Sequence, residues 1–187
     1  GEVKVLGMDT KKNIREIKKR IGVQLQSSAY YNFLKLDEIL KLFAGFYNKE
    51  VDSDKLFAMV GLKSKANQYV NSLSGGQKQR FSIVASLIND PEIVFLDEPT
   101  TGIDPNGSSN KWEIIEKIKK KGKTIILTTH YMEEAEKLCD RVAIMNRGKI
   151  VAIDTPKRLI SKTSNASNLE DAFIALTGGT IAEEDND

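Results

Sequence analysis

Cysteine is almost absent from this chain of 187 residues. Cys139 stands alone, which excludes an internal disulfide and any zinc cluster built on cysteines, and fits a reducing compartment. Histidine is as scarce, with His130 the single instance. No run approaches the roughly 20 consecutive apolar residues of a membrane-spanning helix, so if a membrane matters, a partner supplies the span. No signal-peptide pattern opens the chain. Neither sign of charge is in excess: 28 Lys and Arg against 26 Asp and Glu leave a net +2. No global field therefore argues for nucleic acid or an anionic surface, and no nucleic-acid partner is expected. An initiator methionine is missing as well. Gly1 to Gly7 begin already in the rhythm of a strand, like a sequence entered partway through.

What is present is the composition of a globular protein, 40% hydrophobic and 29% charged, enough for one domain or part of one. Val3 and Val5 suggest a short strand closed by Gly7. Lys11 to Arg20 reads as a charged helical turn or two, and Ile21 to Gln26 as a buried strand. Leu36, Ile39, Leu40, Phe43 and Phe46 follow helical spacing, and Asp52 or Ser53 caps a second helix stopped by Gly61. Gln77 to Ile88 is helical, with Phe81, Val84, Leu87 and Ile88 inward. Asn89-Asp90-Pro91 then hands over to a strand at 92–97. Trp112, Ile115 and Ile118 mark another helix, Thr124 to Thr128 a third apolar strand, and Met132 to Cys139 a helix. The Lys run 119–121 with Lys123 is the solvated end of a helix, where cations suit the dipole. A hairpin turns at Asn146 to Lys149. Pro156 opens one last-third helix and Asn168 to Leu176 forms the other. Cys139 is expected to face the core as a small hydrophobe, and 179–187 is an acidic tail of disordered composition. Strands alternating with helices imply an α/β domain with a mainly parallel sheet, in which ligands sit at the carboxyl ends of strands. Gln26, Asp97 with Glu98, and His130 each follow a strand.

Three stretches could carry chemistry. Leu73-Ser74-Gly75-Gly76-Gln77, followed by Lys78-Gln79-Arg80, puts two glycines between a serine N-cap and a helix. Uncovered N–H groups and the positive end of the helix dipole suit a phosphate there. Ile93 to Leu96 is an apolar strand running into Asp97 and Glu98. Two adjacent carboxylates repel each other, so stability alone is a poor reason for the pair, although solvated loop acids are the bland alternative. Hydrolysis of a phosphoanhydride needs one carboxylate to hold Mg²⁺ and another group to orient water. His130 follows the third strand; a lone histidine is more often structural.

Taken in order, these residues resemble the ATP-binding cassette (ABC) family of ATPases. LSGGQ at 73–77 is its signature, and Asp97 with Glu98 matches its Walker B carboxylates. The runs Asp97-Glu98-Pro99-Thr100-Thr101-Gly102, Thr128-Thr129-His130-Tyr131-Met132-Glu133-Glu134-Ala135 and Asn146-Arg147-Gly148-Lys149 look most like bacterial exporters of the multidrug and antibiotic-resistance type. The resemblance implies a P-loop NTPase-like α/β fold with a helical insert, and ATP and Mg²⁺ as cofactors. It implies Asp97 as the Mg²⁺ ligand and Glu98 as general base. His130 would be the switch histidine at the γ-phosphate. Gln26 would be the Q-loop glutamine touching Mg²⁺ and the attacking water, with Gln24 the rival inside the strand. Ser74, Gly75, Gly76 and Gln77 would reach ATP bound on a second subunit in a head-to-tail dimer. Asp104 would be the D-loop residue crossing to that subunit, where an ordinary Asp-Pro turn competes as an explanation.

The match covers Gly1 to about Gly178, as a core of 1–27 and 73–178 and a helical subdomain of 28–72. The phosphate-cradling run G-x-x-x-x-G-K-[ST] is not among the 187 residues. The simplest expectation is the C-terminal part of a longer ATPase, whose sheet without the P-loop strand has a gap and open apolar faces. Such a chain alone is expected to bind ATP weakly or not at all and to self-associate. The implied function is the ATPase subunit driving export through a membrane permease, held at the cytoplasmic face of the cell membrane by that permease. The alternatives are a non-catalytic interaction module and a soluble ABC ATPase with no transport role.

Overall fold

The computed structural model describes residues 1–26, 29–101 and 112–178. The chain divides into two compact units, Gly1–Thr128 and Thr129–Asp187. The tail at 179–187 and Asp104 lie outside the described residues.

The first unit opens with a feature the sequence did not suggest. Strands β1 (Lys4–Val5) and β2 (Met8–Asp9) pair antiparallel around Leu6 and Gly7, both at positive φ (52° and 74°). The expected single strand is thus a hairpin; Leu6 carries no turn signal, so the chain reversal was hidden. Helix α1 (Ile14–Arg20) leads into β3 (Ile21–Gln24). Strand β3 ends two residues before the expected Gln26, because its ladder with β4 stops at Gln24 opposite Leu96.

Helices α2 (Leu36–Phe46) and α3 (Ser53–Met59) and two 3₁₀ turns follow. Asp52 caps α3 by accepting from the Lys55 N–H at 3.0 Å, and Gly61, at φ +68°, lies beyond its end. Helix α4 (Gly75–Ala85) joins this helical region to β4 (Ile93–Asp97). Phe81 of α4 is fully buried. Its ring stacks on Phe57 of α3 and meets Tyr30 edge-on at 5.1 Å, while the Tyr30 hydroxyl lies 2.9 Å from Ser82 Oγ.

Strands β3, β4 and β5 (Thr124–Thr128) form a parallel sheet in that order, with α5 (Glu113–Lys120) between β4 and β5. Gly22, Gln24, Val94 and Leu96 alternate onto a buried face. A Cβ on Gly22 would stand 2.0 Å from the Ser86 carbonyl oxygen, so β3 lies directly against the chain leaving α4. The other face aligns Val23, Phe95 and Ile126 across the three strands. Val23 and Ile126 there are 49% and 48% exposed. The strand expected to be buried is therefore covered on one side only.

The second unit holds α6 (Met132–Leu138), the antiparallel pair β6 (Val142–Asn146) and β7 (Lys149–Asp154), α7 (Pro156–Lys162) and α8 (Leu169–Thr177). Arg147 and Gly148 turn the hairpin at φ +47° and +71°, as a two-residue loop with both centres left-handed requires. Ala135, Ile144, Leu159 and Leu169 form its core. Thr155 and Asn168 cap α7 and α8. Cys139 is only partly buried.

Candidate functional site

Strand β4 delivers two carboxylates at its carboxyl end and the backbone then separates them. Asp97 is the last ladder residue, opposite Thr128, and its Oδ1 accepts a hydrogen bond from the Thr128 hydroxyl. Glu98 leaves the ladder at φ +46°. That left-handed backbone costs a non-glycine residue about 1–3 kcal/mol and persists only where the surroundings over-determine it. Its N–H donates to the Thr128 carbonyl oxygen at 3.1 Å. Its own carbonyl accepts from the Thr101 N–H at 3.2 Å, closing the turn Glu98-Pro99-Thr100-Thr101.

The Glu98 side chain is held as well. Its Oε2 accepts from Gln26 Nε2 at 2.9 Å and from Thr101 Oγ1 at 3.2 Å. The sheet brings Gln26 to Glu98 because β3 lies beside β4 in parallel. The rival, Gln24, is 2% exposed and donates inward to the carbonyls of Leu25 and Asp97, at 2.7 and 3.2 Å. Position just beyond the strand, rather than its last residue, is what lets Gln26 reach the acid.

Ser74 caps α4 in a reciprocal box: Gln77 N–H donates to Ser74 Oγ at 3.3 Å, and Ser74 N–H donates to Gln77 Oε1 at 3.0 Å. Gly75 and Gly76 are the first helical residues, whose N–H groups have no intrahelical acceptor. Gln77 thus has a structural task beside the one its motif implies. Two residues on, Gln79 Nε2 donates to the Glu98 carbonyl at 3.0 Å, a contact that motif reading missed. Thr101 and Thr128 were missed too. Only their neighbourhood to the carboxylates along the chain or across the sheet could have flagged them.

His130 is exposed in the second unit, with its ring 4.1 Å from that of Tyr131. Among the described residues no group of three or more His, Cys, Asp or Glu could hold a metal. Mg²⁺ does not need one, since it ordinarily takes one or two carboxylates with water and substrate phosphates. The Asp97 carboxylate and Gln26 amide oxygen are hard donors of the right kind. Among the described residues, no helix is long and apolar enough to cross a membrane.

A family model described as ABC transporter matches residues 1–101. A probable multidrug ABC transporter ATP-binding protein of Escherichia coli (strain K12) is 36% identical over 196 residues, covering 100% of this chain and 34% of that protein. The Nod factor export ATP-binding protein I of Rhizobium meliloti (strain 1021) is 37% identical, covering 91% of this chain and 52% of its own length. A fluoroquinolones export ATP-binding protein of Mycobacterium tuberculosis (strain CDC 1551 / Oshkosh) is 45% identical over 75% of this chain and 47% of that protein. The chain thus spans between a third and about half of these curated relatives. Among solved structures, an ATP binding subunit of an ABC transporter superimposes with a TM-score of 0.79 at 23% identity, over 92% of this chain and 74% of that one. A dimeric post-hydrolysis ATP-binding cassette bound to ADP and Pi gives a TM-score of 0.73 at 25% identity, over 83% and 73%.

Proposed function

Because the chain belongs to the ABC transporter family and carries its ATP-binding domain, we propose that it supplies the hydrolytic carboxylates of a transporter ATPase. The observation that carries this reading is Glu98 at the carboxyl end of β4, its carboxylate held by Gln26 across the sheet at 2.9 Å. Phosphoryl transfer asks a protein chiefly for positioning and for charge stabilisation. Glu98 takes the proton of an attacking water as its oxygen bonds to the γ-phosphorus and the bond to the ADP oxygen breaks. Gln26 and Thr101 stop the carboxylate from rotating away. Thr128 fixes Asp97, which with Gln26 would hold Mg²⁺; when bound, that ion neutralises charge on the phosphates.

His130 and the cap loop of α4 are proposed to act on the γ-phosphate, the latter on a nucleotide held by a second subunit, and Asp104 to cross to that subunit. Two copies closing head to tail on ATP and reopening after hydrolysis would drive a partner permease through the helices of residues 28–72. Export is the direction its relatives' names support, and the place is the cytoplasmic face of the membrane beside that permease. The 187 residues alone are proposed to be inactive.

The test is MgATP hydrolysis by the full-length natural protein with its permease. Glu98→Gln should lower kcat about 10²–10⁴-fold, the range expected on removing a general base, with thermal stability retained. An unchanged kcat would remove Glu98 from the chemistry. No hydrolysis by the wild type would favour an interaction module.

A further inference from the structure

The strained backbone of Glu98 is held by hydrogen bonds that differ in kind. Thr128 and Thr101 act mainly through their main chains, with the Thr128 hydroxyl adding a longer contact to the Glu98 N–H at 3.4 Å, so most sequences able to form this sheet and turn would supply the main-chain bonds. The Glu98 carbonyl is also held by a side chain from a helix. Gln79 stands on α4, two residues beyond the capping Gln77, and its half-buried amide donates to the Glu98 carbonyl at 3.0 Å. Glu98 also precedes Pro99, where a residue ordinarily takes extended backbone, so its φ of +46° is unfavourable on two counts.

We propose that Gln79 is a positioning residue for hydrolysis: by holding the Glu98 carbonyl it sets the backbone from which that carboxylate is aimed. It acts through Glu98 and touches no nucleotide. The same bond ties Glu98 to the helix that Ser74 caps, so a shift of α4 moves the base. This inference rests on reading Glu98 as the general base. A half-buried amide that only fastens a helix to a loop would instead contribute to stability and leave the rate alone.

The experiment uses the full-length natural protein with its permease and the near-isosteric Gln79→Glu, which replaces the donor with an acceptor facing the carbonyl. We expect kcat to fall about tenfold or more, as misplacement of a catalytic group does, with KM for ATP within about twofold. In a Glu98→Gln background the same change should alter the residual rate less than about twofold, because the group being aimed has gone. Without nucleotide, amide exchange at Glu98, Thr100 and Thr101 should quicken in Gln79→Glu. Gln79→Ala repeats the series should the glutamate variant fail to fold. An equal loss in both backgrounds overturns the proposal in favour of a purely structural role. A raised KM at constant kcat overturns it in favour of nucleotide contact, and an unaffected variant overturns it outright. A wild type that hydrolyses no ATP defeats the functional reading first, a result separable from an active wild type with an indifferent Gln79.

Discussion

Glu98 and Asp97 are neighbours in the chain yet face different partners, because one ends a strand and the other begins a turn. Asp97 keeps the ladder's direction and meets Thr128, while positive φ turns Glu98 toward Gln26 and Thr101. Two like charges that would repel in a regular strand are thereby given separate donors. Elsewhere single carboxylates act on stability. Asp154 accepts hydrogen bonds from the Lys162 ammonium at 2.7 Å and the Thr155 N–H at 2.9 Å. These, with the Lys162 and Arg158 charges, hold its pKa below the usual carboxylate value. A lowered folded pKa contributes stability that is present above the unfolded value of about 4 and is lost as pH falls through the folded one. Asp154→Asn should therefore flatten the fall in stability below about pH 4 relative to the parent chain. Urea unfolding across the acid range measures this, and identical slopes would show the bond contributes nothing.

Helix α4 is the element on which the first unit turns. Its N-terminus is the capped glycine loop, its middle buries Phe81 against Phe57 and Tyr30, and its last turn lets β3 lie against Ser86. Gly22 is what permits that approach, for its φ is ordinary and only space is at stake. Gly22→Ala would drive a methyl to 2.0 Å from a backbone oxygen, and backbone cannot rotate away as a side chain can. The expected loss is about 1–3 kcal/mol or more, read as a drop in the thermal unfolding midpoint. An unchanged midpoint would mean that β3 and the end of α4 separate freely.

At the scale of the molecule, the parallel sheet is the anomaly. Parallel sheets are normally covered on both faces, yet Val23 and Ile126 remain about half exposed on either side of Phe95. Among the described residues β3 and β5 are the edges of that sheet, and edge strands carry main-chain groups able to pair with another chain. The 187-residue chain by itself should therefore self-associate with rising concentration, and Ile126→Lys should weaken that association. Sedimentation velocity distinguishes the cases, and a concentration-independent monomer would mean that this face tolerates water.

Local rules were enough for much of this protein. Helix periods, caps at Asp52 and Ser74, the Arg147-Gly148 hairpin and the strand ends carrying Asp97 and Thr128 all depend on neighbours a few residues apart, and such neighbours are legible in order. The α/β class followed from their alternation, and the motifs around LSGGQ and Asp97-Glu98 placed the chain in its family. Tertiary structure decided the rest. Which glutamine meets Glu98 depends on a register 72 residues apart in sequence, and Gln79 reaches it across 19. An amide side chain has no periodic signature, and positive φ at Leu6 or Glu98 none in residue type. Only packing one strand against another, and α4 against the loop, selects those contacts.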